Sequence, residues 1–463
     1  MSTLPSGFSS RVAEIVGGPF VLQDASSLDT YGADALKQGS APDIVALPGS
    51  TQDVSALATL CNEERVPIVV RGGGTGYTGG AVPIHGGLVM SLERLNRILE
   101  IDRLNLLARV QPNVITGDLQ DAVERVGLFY PPDPASLRQS AIGGNVAECA
   151  GGPRAFKYGT TKRYVLALEA VLPTGEIIHT GSKAVKNVVG YDLTQLLVGS
   201  EGTLAIITEV TLRLIPKPPA RATLLAEFAD IPHAADGVTK LIERSVVPGA
   251  LEIVDAESLN ALAAHAGRPM ASPGTGAVLI VEVDGAVEAV GPELALVEDA
   301  CRAAGAIKVR RAGTEAEREE IWHLRRELSA ALRKISTVKL NNDVVVPRGR
   351  VPELFALVRQ IQEAYRLPMA SFGHAGDGNI HVNIMPPAGD AEAMGRARAA
   401  ERALFEGVVA LEGSISGEHG IGITKSKYLG LELSADEIAL MKRVKAAFDP
   451  SGILNPGKIF PDE

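Results

Sequence analysis

The chain has 463 residues, of which 46% are hydrophobic and 22% charged, as is typical of a globular protein with two or three domains. Its formal net charge of −10 argues against non-specific binding to nucleic acid. Only three cysteines occur, Cys61, Cys149 and Cys301, and their wide spacing argues against a disulfide framework or an iron–sulfur site.

The N-terminal residues contain no basic region followed by an apolar stretch, so we expect no signal peptide. No run reaches the roughly 18 apolar residues that a transmembrane segment needs. We therefore expect a cytoplasmic protein, or one attached peripherally to the inner membrane through partners.

The first predicted α/β unit leads into a glycine-rich stretch at residues 70–80. Residues 1–40 are expected to form a short helical segment, and Ser50 to Asp53 carries the signals of a helix start. The stretch 70–80 holds six glycines in eleven residues and follows an apolar strand. Glycines let successive N–H groups turn toward an anion, which predicts a pyrophosphate cradle, with a flexible surface loop as the alternative. Residues 81–83 do not begin a helix, so a nicotinamide-binding fingerprint lacks its context here.

Two further segments have compositions suited to lining a cofactor. Residues 130–136 contain three prolines, which make a rigid loop able to hold a planar ring with little loss of entropy. Small side chains dominate residues 141–152, as expected where a backbone lies against a cofactor, although tight helix or loop packing is the alternative. Strands are predicted at residues 164–172 and 176–179, and then as a pair at 206–207 and 210–212.

Residues 215–219 contain three prolines and mark the clearest domain boundary. Beyond them, predicted strands and amphipathic helices alternate as far as residue 311, and a long charged helix follows at 312–334. Alternation of this length predicts an α+β layer in which helices cover one sheet.

A strand, a turn and a returning strand are predicted at residues 369–384. His374 ends the first strand, and residues two apart on the second share a face, so His381 and Asn383 point the same way. Downstream, residues 417–420 place a carboxylate and a third imidazole between glycines. Two imidazoles and a carboxylate suit Zn²⁺, Mn²⁺ or Fe²⁺ and leave positions open for substrate. The alternative is that these histidines are ordinary core or surface residues.

Two basic residues are candidate binding groups for a substrate carboxylate. Arg325 falls on the long charged helix, and Lys339 falls on a predicted strand at residues 338–343. A buried cation in an acidic chain can bind a carboxylate. Helical surface charge is the alternative for Arg325.

Together these segments resemble the FAD-linked oxidases and dehydrogenases of the vanillyl-alcohol-oxidase type, over residues 41–460. Within that family the chain is most similar to the branch that holds the FAD-bearing chain of glycolate oxidase, D-lactate dehydrogenase and D-2-hydroxyglutarate dehydrogenase. The motifs that carry the resemblance are residues 71–76, 132–136, 142–145, 199–203, 374–381, 417–420 and 455–457.

The resemblance implies an α+β fold with two domains and a C-terminal return. Residues 1–40 would be the N-terminal helical segment, and residues 41–217 a two-subdomain FAD-binding domain of the PCMH type. Residues 218–415 would form an α+β cap domain with an antiparallel sheet that binds substrate. Residues 416–463 would form a C-terminal helical segment that returns to the flavin site.

The resemblance also implies a set of residues that contact FAD. Residues 70–80 contain no histidine for a covalent bond to the flavin, so we expect dissociable, non-covalent FAD. The implied contacts are Arg71, Gly72, Gly73, Gly74, Thr75, Gly76, Pro132, Asp133, Ser136, Gly143, Gly144, Asn145, Gly152, Gly159, Ile207 and Asn455.

The metal-dependent branch of the family implies a divalent-metal site. Its ligands would be His374, His381 and Glu418, with Zn²⁺ as the first expectation and Mn²⁺ or Fe²⁺ as alternatives. The other implied roles are His419 as the base, Asn383 as a substrate contact, and Arg325 and Lys339 as carboxylate-binding groups.

The implied reaction is oxidation of a D-2-hydroxy acid to the 2-oxo acid by hydride transfer to flavin N5, assisted by the metal. Glycolate, D-lactate and D-2-hydroxyglutarate remain open as substrates. An oxidase that uses O₂, or an FAD subunit of a multi-subunit glycolate oxidase, are alternatives. Implied partners are a quinone, flavoprotein or iron–sulfur subunit as electron acceptor, in a homodimer or a hetero-oligomer.

Overall fold

The helices and strands follow the apolar spacing of the sequence. The computed structural model describes residues 4–336 and 338–461. Among these residues, no helix combines the length and the apolar character needed to cross a membrane. The helices, in chain order, are α1 Phe8–Val16, α2 Ala25–Tyr31, α3 Thr51–Glu64, α4 Thr116–Glu124, α5 Ile142–Glu148, α6 Ala155–Tyr158, α7 Leu193–Leu197, α8 Ile231–Glu243, α9 Ala256–Ala266, α10 Val287–Ala303, α11 Glu315–Ile335, α12 Val351–Tyr365, α13 Ala391–Ala410, α14 Leu429–Glu432 and α15 Ala435–Phe448.

The strands form ladders that agree with the predicted alternation of strands and helices. In chain order they are β1 Val21–Leu22, β2 Ile44–Ala46, β3 Ile68–Arg71, β4 Leu88–Ser91, β5 Ile98–Asp102, β6 Leu107–Val110, β7 Leu128–Phe129, β8 Val165–Val171, β9 Ile177–Gly181, β10 Ile206–Arg213, β11 Ile215–Pro216, β12 Ala220–Phe228, β13 Ala250–Asp255, β14 Ala277–Gly285, β15 Lys308–Arg311, β16 Leu340–Val345, β17 Met369–His374 and β18 Asn379–Ile384.

The helix starts are set by side chains that satisfy backbone N–H groups. Ser50 accepts a hydrogen bond from Asp53 N at 3.1 Å, which confirms the predicted start of α3. Thr314 and Glu317 satisfy each other's backbone N–H groups in a capping box that begins α11.

The described residues divide into two units by their internal contacts. The first unit comprises the residues up to Gly151, Thr160–Lys217 and the residues from Glu418 onward. The second comprises Gly152–Gly159 and Pro218–Gly417. The four-segment division implied by the family resemblance remains a prediction.

The first unit contains two larger sheets. A four-stranded sheet has the order β1-β2-β4-β3, in which β2, β4 and β3 are parallel and β1 is antiparallel. A five-stranded antiparallel sheet has the order β5-β6-β10-β8-β9. The core beside the first sheet is mainly aliphatic and includes the fully buried Ile44, Leu57 and Leu88.

Strand β10 corrects one detail of the sequence analysis. The two short strands predicted at residues 206–207 and 210–212 are a single strand, Ile206–Arg213. Its pairing with β8 shifts register between Ile207 and Glu209. A bulge of this kind interrupts the alternation of side chains without ending the ladder, which is why the pattern resembled two strands.

The second unit is built on a seven-stranded sheet that is antiparallel throughout. The strand order is β15-β12-β14-β13-β17-β18-β16. Helices α9 and α11 pack on one face of this sheet, where Leu262 and Leu328 meet Val254 and Phe372. This arrangement confirms the predicted sheet covered by helices. Lys339 was predicted on a strand, but β16 begins one residue later, so Lys339 precedes it.

A buried ion pair anchors the end of α15 in the first unit. Asp449 is 2% exposed and accepts hydrogen bonds from Lys445 Nζ at 2.5 Å and from Leu454 N at 2.8 Å. Lys445 also donates to the carbonyl of Thr203 at 2.7 Å. These bonds fix the path of the chain just before Asn455.

We predict that Asp449→Ala lowers the free energy of unfolding by about 3–5 kcal/mol, because it leaves the Lys445 charge buried without its partner. Chemical unfolding followed by circular dichroism measures this loss. Asp436→Ala, at an exposed position in the first turn of the same helix, serves as the control and should cost less than about 0.5 kcal/mol. Equal losses in the two variants would contradict the anchoring role.

Candidate active site

The glycine-rich stretch of the first unit lies directly against helix α5. A Cβ built on Gly73 would approach the Gln139 carbonyl oxygen to 2.3 Å, so a side chain has no room there. The corresponding point on Gly72 lies 3.9 Å from Gly144 N. Two segments predicted to contact the flavin are therefore adjacent, although they are some seventy residues apart in the sequence.

The start of α5 has the features of a cradle for a polar cofactor. Gly144 is exposed, and a Cβ built on it would meet no atom within 4 Å. A glycine inside a helix costs about 0.5–1 kcal/mol relative to alanine, and the space beside Gly144 is open to a ligand. Nearby, the buried Oδ1 of Asn113 has no hydrogen-bond partner among the described residues and lies 3.8 Å from the Cβ position of Gly72.

Asn455 connects three parts of the first unit. Its Nδ2 donates to the carbonyl of Gly80 at 3.0 Å and to that of Glu201 at 2.8 Å. Its buried Oδ1 has no hydrogen-bond partner in the described part of the chain. Asn455 thus holds the end of the glycine-rich stretch in place through Nδ2. Its Oδ1 is a further polar atom that could bind a ligand.

Several other predicted flavin contacts are engaged with the protein itself. Arg71 Nη1 donates to the carbonyl of Ala33 at 2.5 Å, and Asn145 Nδ2 donates to Thr116 Oγ1 at 2.7 Å. The Pro132 carbonyl accepts from Gln120 Nε2 at 2.9 Å. Gly152 and Gly159 fall in the second unit, and Ile207 is buried on β10. The flavin contacts of these residues remain predictions, as do those of Asp133 and Ser136.

His419 is positioned by the glycine-rich stretch of its own unit. Its ring centroid lies 5.4 Å from that of Tyr77, and its carbonyl accepts a hydrogen bond from Thr78 Oγ1 at 3.1 Å. The predicted base therefore lies beside the predicted cofactor loop.

A buried carboxylate that the sequence analysis gave no role supports the loop after His419. The two oxygens of Glu201 accept hydrogen bonds from Ile421 N and Gly422 N, each at 2.7 Å. Burial raises the pKa of Glu201, and these two N–H groups oppose that shift. The glutamate of the motif at residues 199–203 thus acts on the loop that presents the predicted base.

The second unit carries a row of buried polar side chains on one face of its sheet. Cross-strand pairing places Glu252 opposite His374, and His381 opposite both Phe372 and Asp343. Residues opposite each other in adjacent strands project from the same face. This confirms the predicted hairpin and the shared face of His381 and Asn383.

The two imidazoles of the hairpin are close enough to share a cation. The ring centroids of His374 and His381 are 5.3 Å apart, the rings are nearly perpendicular, and both residues are buried. Asp343 Oδ1 lies 3.8 Å from His381 Nδ1. Imidazole and carboxylate donors in this arrangement fit a divalent transition metal. Glu418 begins the C-terminal segment of the first unit, and its role as a third ligand remains a prediction.

Arg325 is buried and paired with Glu252, a residue that the sequence analysis did not consider. Its Nε donates to Glu252 Oε2, and its guanidinium lies over the Phe372 ring, 4.8 Å from the centroid. Glu252 Oε1 lies 2.5 Å from His374 Nδ1. Burial alone would raise the pKa of Glu252, but the two basic neighbours outweigh it and hold that pKa at about 2. The only sequence signal for a role of Glu252 was that it is a charged residue within an apolar strand.

Asn383 and Lys339 complete the predicted set in this unit. Asn383 is fully buried, and its Nδ2 donates to the carbonyls of Ala370 and His381, each at 3.2 Å. Its Oδ1 lacks a hydrogen-bond partner within the described ranges. Lys339 Nζ donates to Ser329 Oγ at 3.1 Å. Burial, helped by the positive charge of Arg333, lowers the pKa of Lys339 to about 8.

Two family models match the chain, and together they cover most of it. Residues 42–181 match the FAD binding domain, and residues 217–459 match the C-terminal domain of FAD linked oxidases. The matched ranges contain the glycine-rich stretch and the polar face described above.

Similar proteins cover nearly the whole chain. Glycolate oxidase subunit GlcD of Bacillus subtilis (strain 168) is 43% identical, covering 96% of this chain and 95% of its own. D-lactate dehydrogenase of Anaerostipes hadrus is 37% identical, covering 93% of this chain and 92% of its own. The solved structure of p-cresol methylhydroxylase with substrate bound superposes with a TM-score of 0.82 at 19% identity, covering 99% of this chain and 98% of its own. This last likeness confirms the expected fold.

We predict that Gly144→Ala has opposite effects on the FAD-free protein and on FAD binding. Helix propensity should raise the free energy of unfolding of the FAD-free protein by about 0.5–1 kcal/mol. The added methyl group should weaken FAD binding roughly tenfold or more, because it occupies the open cradle. Unfolding curves and FAD titration of the stripped protein measure the two effects.

The matched control is Gly395→Ala in α13, where a Cβ likewise meets nothing within 4 Å. It should give the same gain in stability and leave FAD affinity unchanged. Undiminished FAD affinity in Gly144→Ala would show that the cofactor does not lie against this helix.

Proposed function

The chain belongs to the FAD-linked oxidases and is an FAD-dependent oxidoreductase of hydroxy acids, and we propose that it oxidises a D-2-hydroxy acid to the 2-oxo acid with the help of a divalent metal. The substrate class is that of glycolate, D-lactate and D-2-hydroxyglutarate. The observation that carries this proposal is the buried polar face of the second unit, where His374 and His381 lie beside the Arg325–Glu252 pair.

The proposal assigns the chain's own residues to three tasks. His374 and His381 hold the metal, with Glu418 as the third ligand. The guanidinium of Arg325 binds the substrate carboxylate through donors other than Nε, which is already bonded to Glu252. Asn383 contacts the substrate through its buried Oδ1, for which the described residues provide no partner.

The choice of Glu418 rests on the sequence motif and is supported by the residue before it. Gly417 N donates to Asp343 Oδ2 at 2.9 Å, and the other oxygen of Asp343 lies 3.8 Å from His381 Nδ1. The chain therefore leaves the second unit directly from the polar face that holds the histidine pair, and Glu418 is the next residue.

The reaction removes a proton from the 2-hydroxyl and a hydride from C2. Bound FAD would supply a hydride acceptor at N5, and a divalent cation held by His374, His381 and Glu418 would supply Lewis acidity toward the hydroxyl. His419 takes the hydroxyl proton as a general base. Its ring lies beside that of Tyr77, and the loop that follows it is bonded to Glu201, which favours a preorganised position for the base.

A second candidate places the chain in a multi-subunit glycolate oxidase. The relative from Bacillus subtilis carries the name of a subunit, and its length is matched almost completely. The three cysteines of this chain are far apart, so electrons leaving the flavin would need a quinone or a partner protein as acceptor. Turnover of the isolated protein with an artificial acceptor, compared with turnover on O₂, tests whether a partner is required.

We predict that anaerobic addition of a D-2-hydroxy acid bleaches the flavin absorption, and that L isomers do not. Prior removal of the metal with a chelator should slow bleaching at least tenfold, and Zn²⁺ or Mn²⁺ should restore it. His419→Gln should retain FAD but slow bleaching by roughly 10²–10⁴-fold, the usual contribution of a general base. Full bleaching by this variant would remove His419 from the mechanism, and bleaching indifferent to chelation would remove the metal.

We predict that KM for the acid rises with pH above about 8, because Lys339 loses its charge as pH passes the pKa of about 8 that burial gives it. Below that pH the ammonium is charged and attracts the substrate carboxylate. Lys339→Arg keeps the charge and should make KM independent of pH from 7 to roughly 10.

The control is Lys334→Arg at an exposed position near the end of α11, which should keep the pH dependence of the unmodified enzyme. A KM profile of the unmodified enzyme that is flat through pH 8 would exclude Lys339 from substrate binding.

A further inference from the structure

Glu252 lies at a point in the second unit where two basic side chains converge. It is on the central strand β13 and is fully buried. Oε1 lies 2.5 Å from His374 Nδ1, directly opposite across the sheet, and Oε2 accepts from Arg325 Nε on helix α11. Each oxygen of this carboxylate therefore has a different basic partner.

The hydrogen bond to Glu252 determines which nitrogen of His374 carries the proton. A carboxylate paired with a guanidinium accepts hydrogen bonds, so Nδ1 of His374 must be the donor. The lone pair of the imidazole is then on Nε2, at the other side of the ring. Histidines that ligate metals commonly donate their second nitrogen in this way, which fixes both the tautomer and the ring orientation.

The same carboxylate restricts Arg325. Its Nε is bonded to Glu252, and its guanidinium carbon lies over the Phe372 ring, 4.8 Å from the centroid. A guanidinium held through Nε and against an aromatic ring has its two Nη groups in a set direction, ready for a forked contact with a carboxylate.

We propose that Glu252 is a positioning residue that sets the orientation of His374 relative to Arg325, so that one buried carboxylate aligns the metal-binding imidazole with the group that binds the substrate carboxylate. This inference rests on the proposed function. It adds a residue that touches neither substrate nor cofactor and acts through both of its partners.

A purely structural ion pair would have different consequences. Replacing a buried ion pair often leaves stability unchanged, and removing one partner usually lowers it, but neither outcome bears on metal affinity. A positioning role predicts a change in metal affinity and in the His374 tautomer beyond any change in stability.

Glu282 provides a matched control for this distinction. It is buried on the adjacent strand β14, opposite Ala250, and therefore projects from the same face of the sheet as Glu252. It also bonds to helix α11, accepting from Trp322 Nε1 at 2.9 Å, and it accepts from Thr223 Oγ1 at 2.8 Å. Its bonded partners are thus different from those of Glu252.

The first test titrates Zn²⁺ and Mn²⁺ into the FAD-containing, chelator-stripped enzyme by calorimetry. Glu252→Gln should weaken metal binding roughly 10- to 100-fold, as second partners of ligating histidines do, whereas Glu282→Gln should leave it within about threefold. The flavin spectrum and the unfolding curve confirm that each variant is folded. If Glu252→Gln does not fold, Glu252→Asp replaces it in the same titration. The aspartate side chain is too short to bond to both His374 and Arg325. Unchanged metal affinity in a folded Glu252 variant overturns the proposal.

The second test does not depend on metal. Selective ¹⁵N-histidine labelling of the metal-free enzyme, with His374→Gln to assign the signal, reports which nitrogen of His374 carries the proton. The expected result is a single tautomer protonated at Nδ1 in the unmodified enzyme and a mixture in Glu252→Gln, with Glu282→Gln unchanged. If the unmodified enzyme binds no metal yet shows this pattern, the metal part of the proposed function fails while the positioning role stands. If Glu252→Gln leaves the His374 tautomer unchanged, the positioning role of Glu252 is overturned.

Discussion

The second unit depends on one buried interaction, the carboxylate of Glu252 shared between His374 and Arg325. An isolated charge at the centre of a sheet is strongly unfavourable, and Glu252 and Arg325 each reduce this cost for the other by pairing. The neighbouring core between this sheet and helices α9 and α11 is mainly aliphatic and aromatic.

In the first unit a buried carboxylate likewise supports the loop beside a predicted functional residue. Glu201 is buried and accepts two backbone N–H groups of the loop that follows His419. A carboxylate bonded to main-chain groups fixes a loop without occupying the space that a ligand needs. In both units a buried carboxylate on a neighbouring element thus bonds to a predicted functional residue or to its loop. This bonding restricts the motion of that residue.

Local sequence signals predicted much of the fold, because strands, turns and helix starts depend on residues close together in the chain. The hairpin that carries His374 and His381 and the capped start of α3 were predicted from such signals. Glu252 was missed because its partner His374 is 122 residues away, and strand pairing over that distance leaves no local pattern. Gly152–Gly159 was missed for the same reason, since Lys157 joins this short segment to Asp284 of the second unit.

The energetic cost of the buried polar face is itself informative. Apolar residues of similar volume could replace an ion pair such as Arg325–Glu252 with little loss of stability, and often with a gain. Stability alone therefore does not require charged residues on this face of the sheet. What charged residues provide, and apolar ones cannot, is a defined direction for each donor and acceptor. The buried Oδ1 of Asn383, which lacks a partner among the described residues, carries a similar cost, because a buried acceptor without a hydrogen bond is unfavourable.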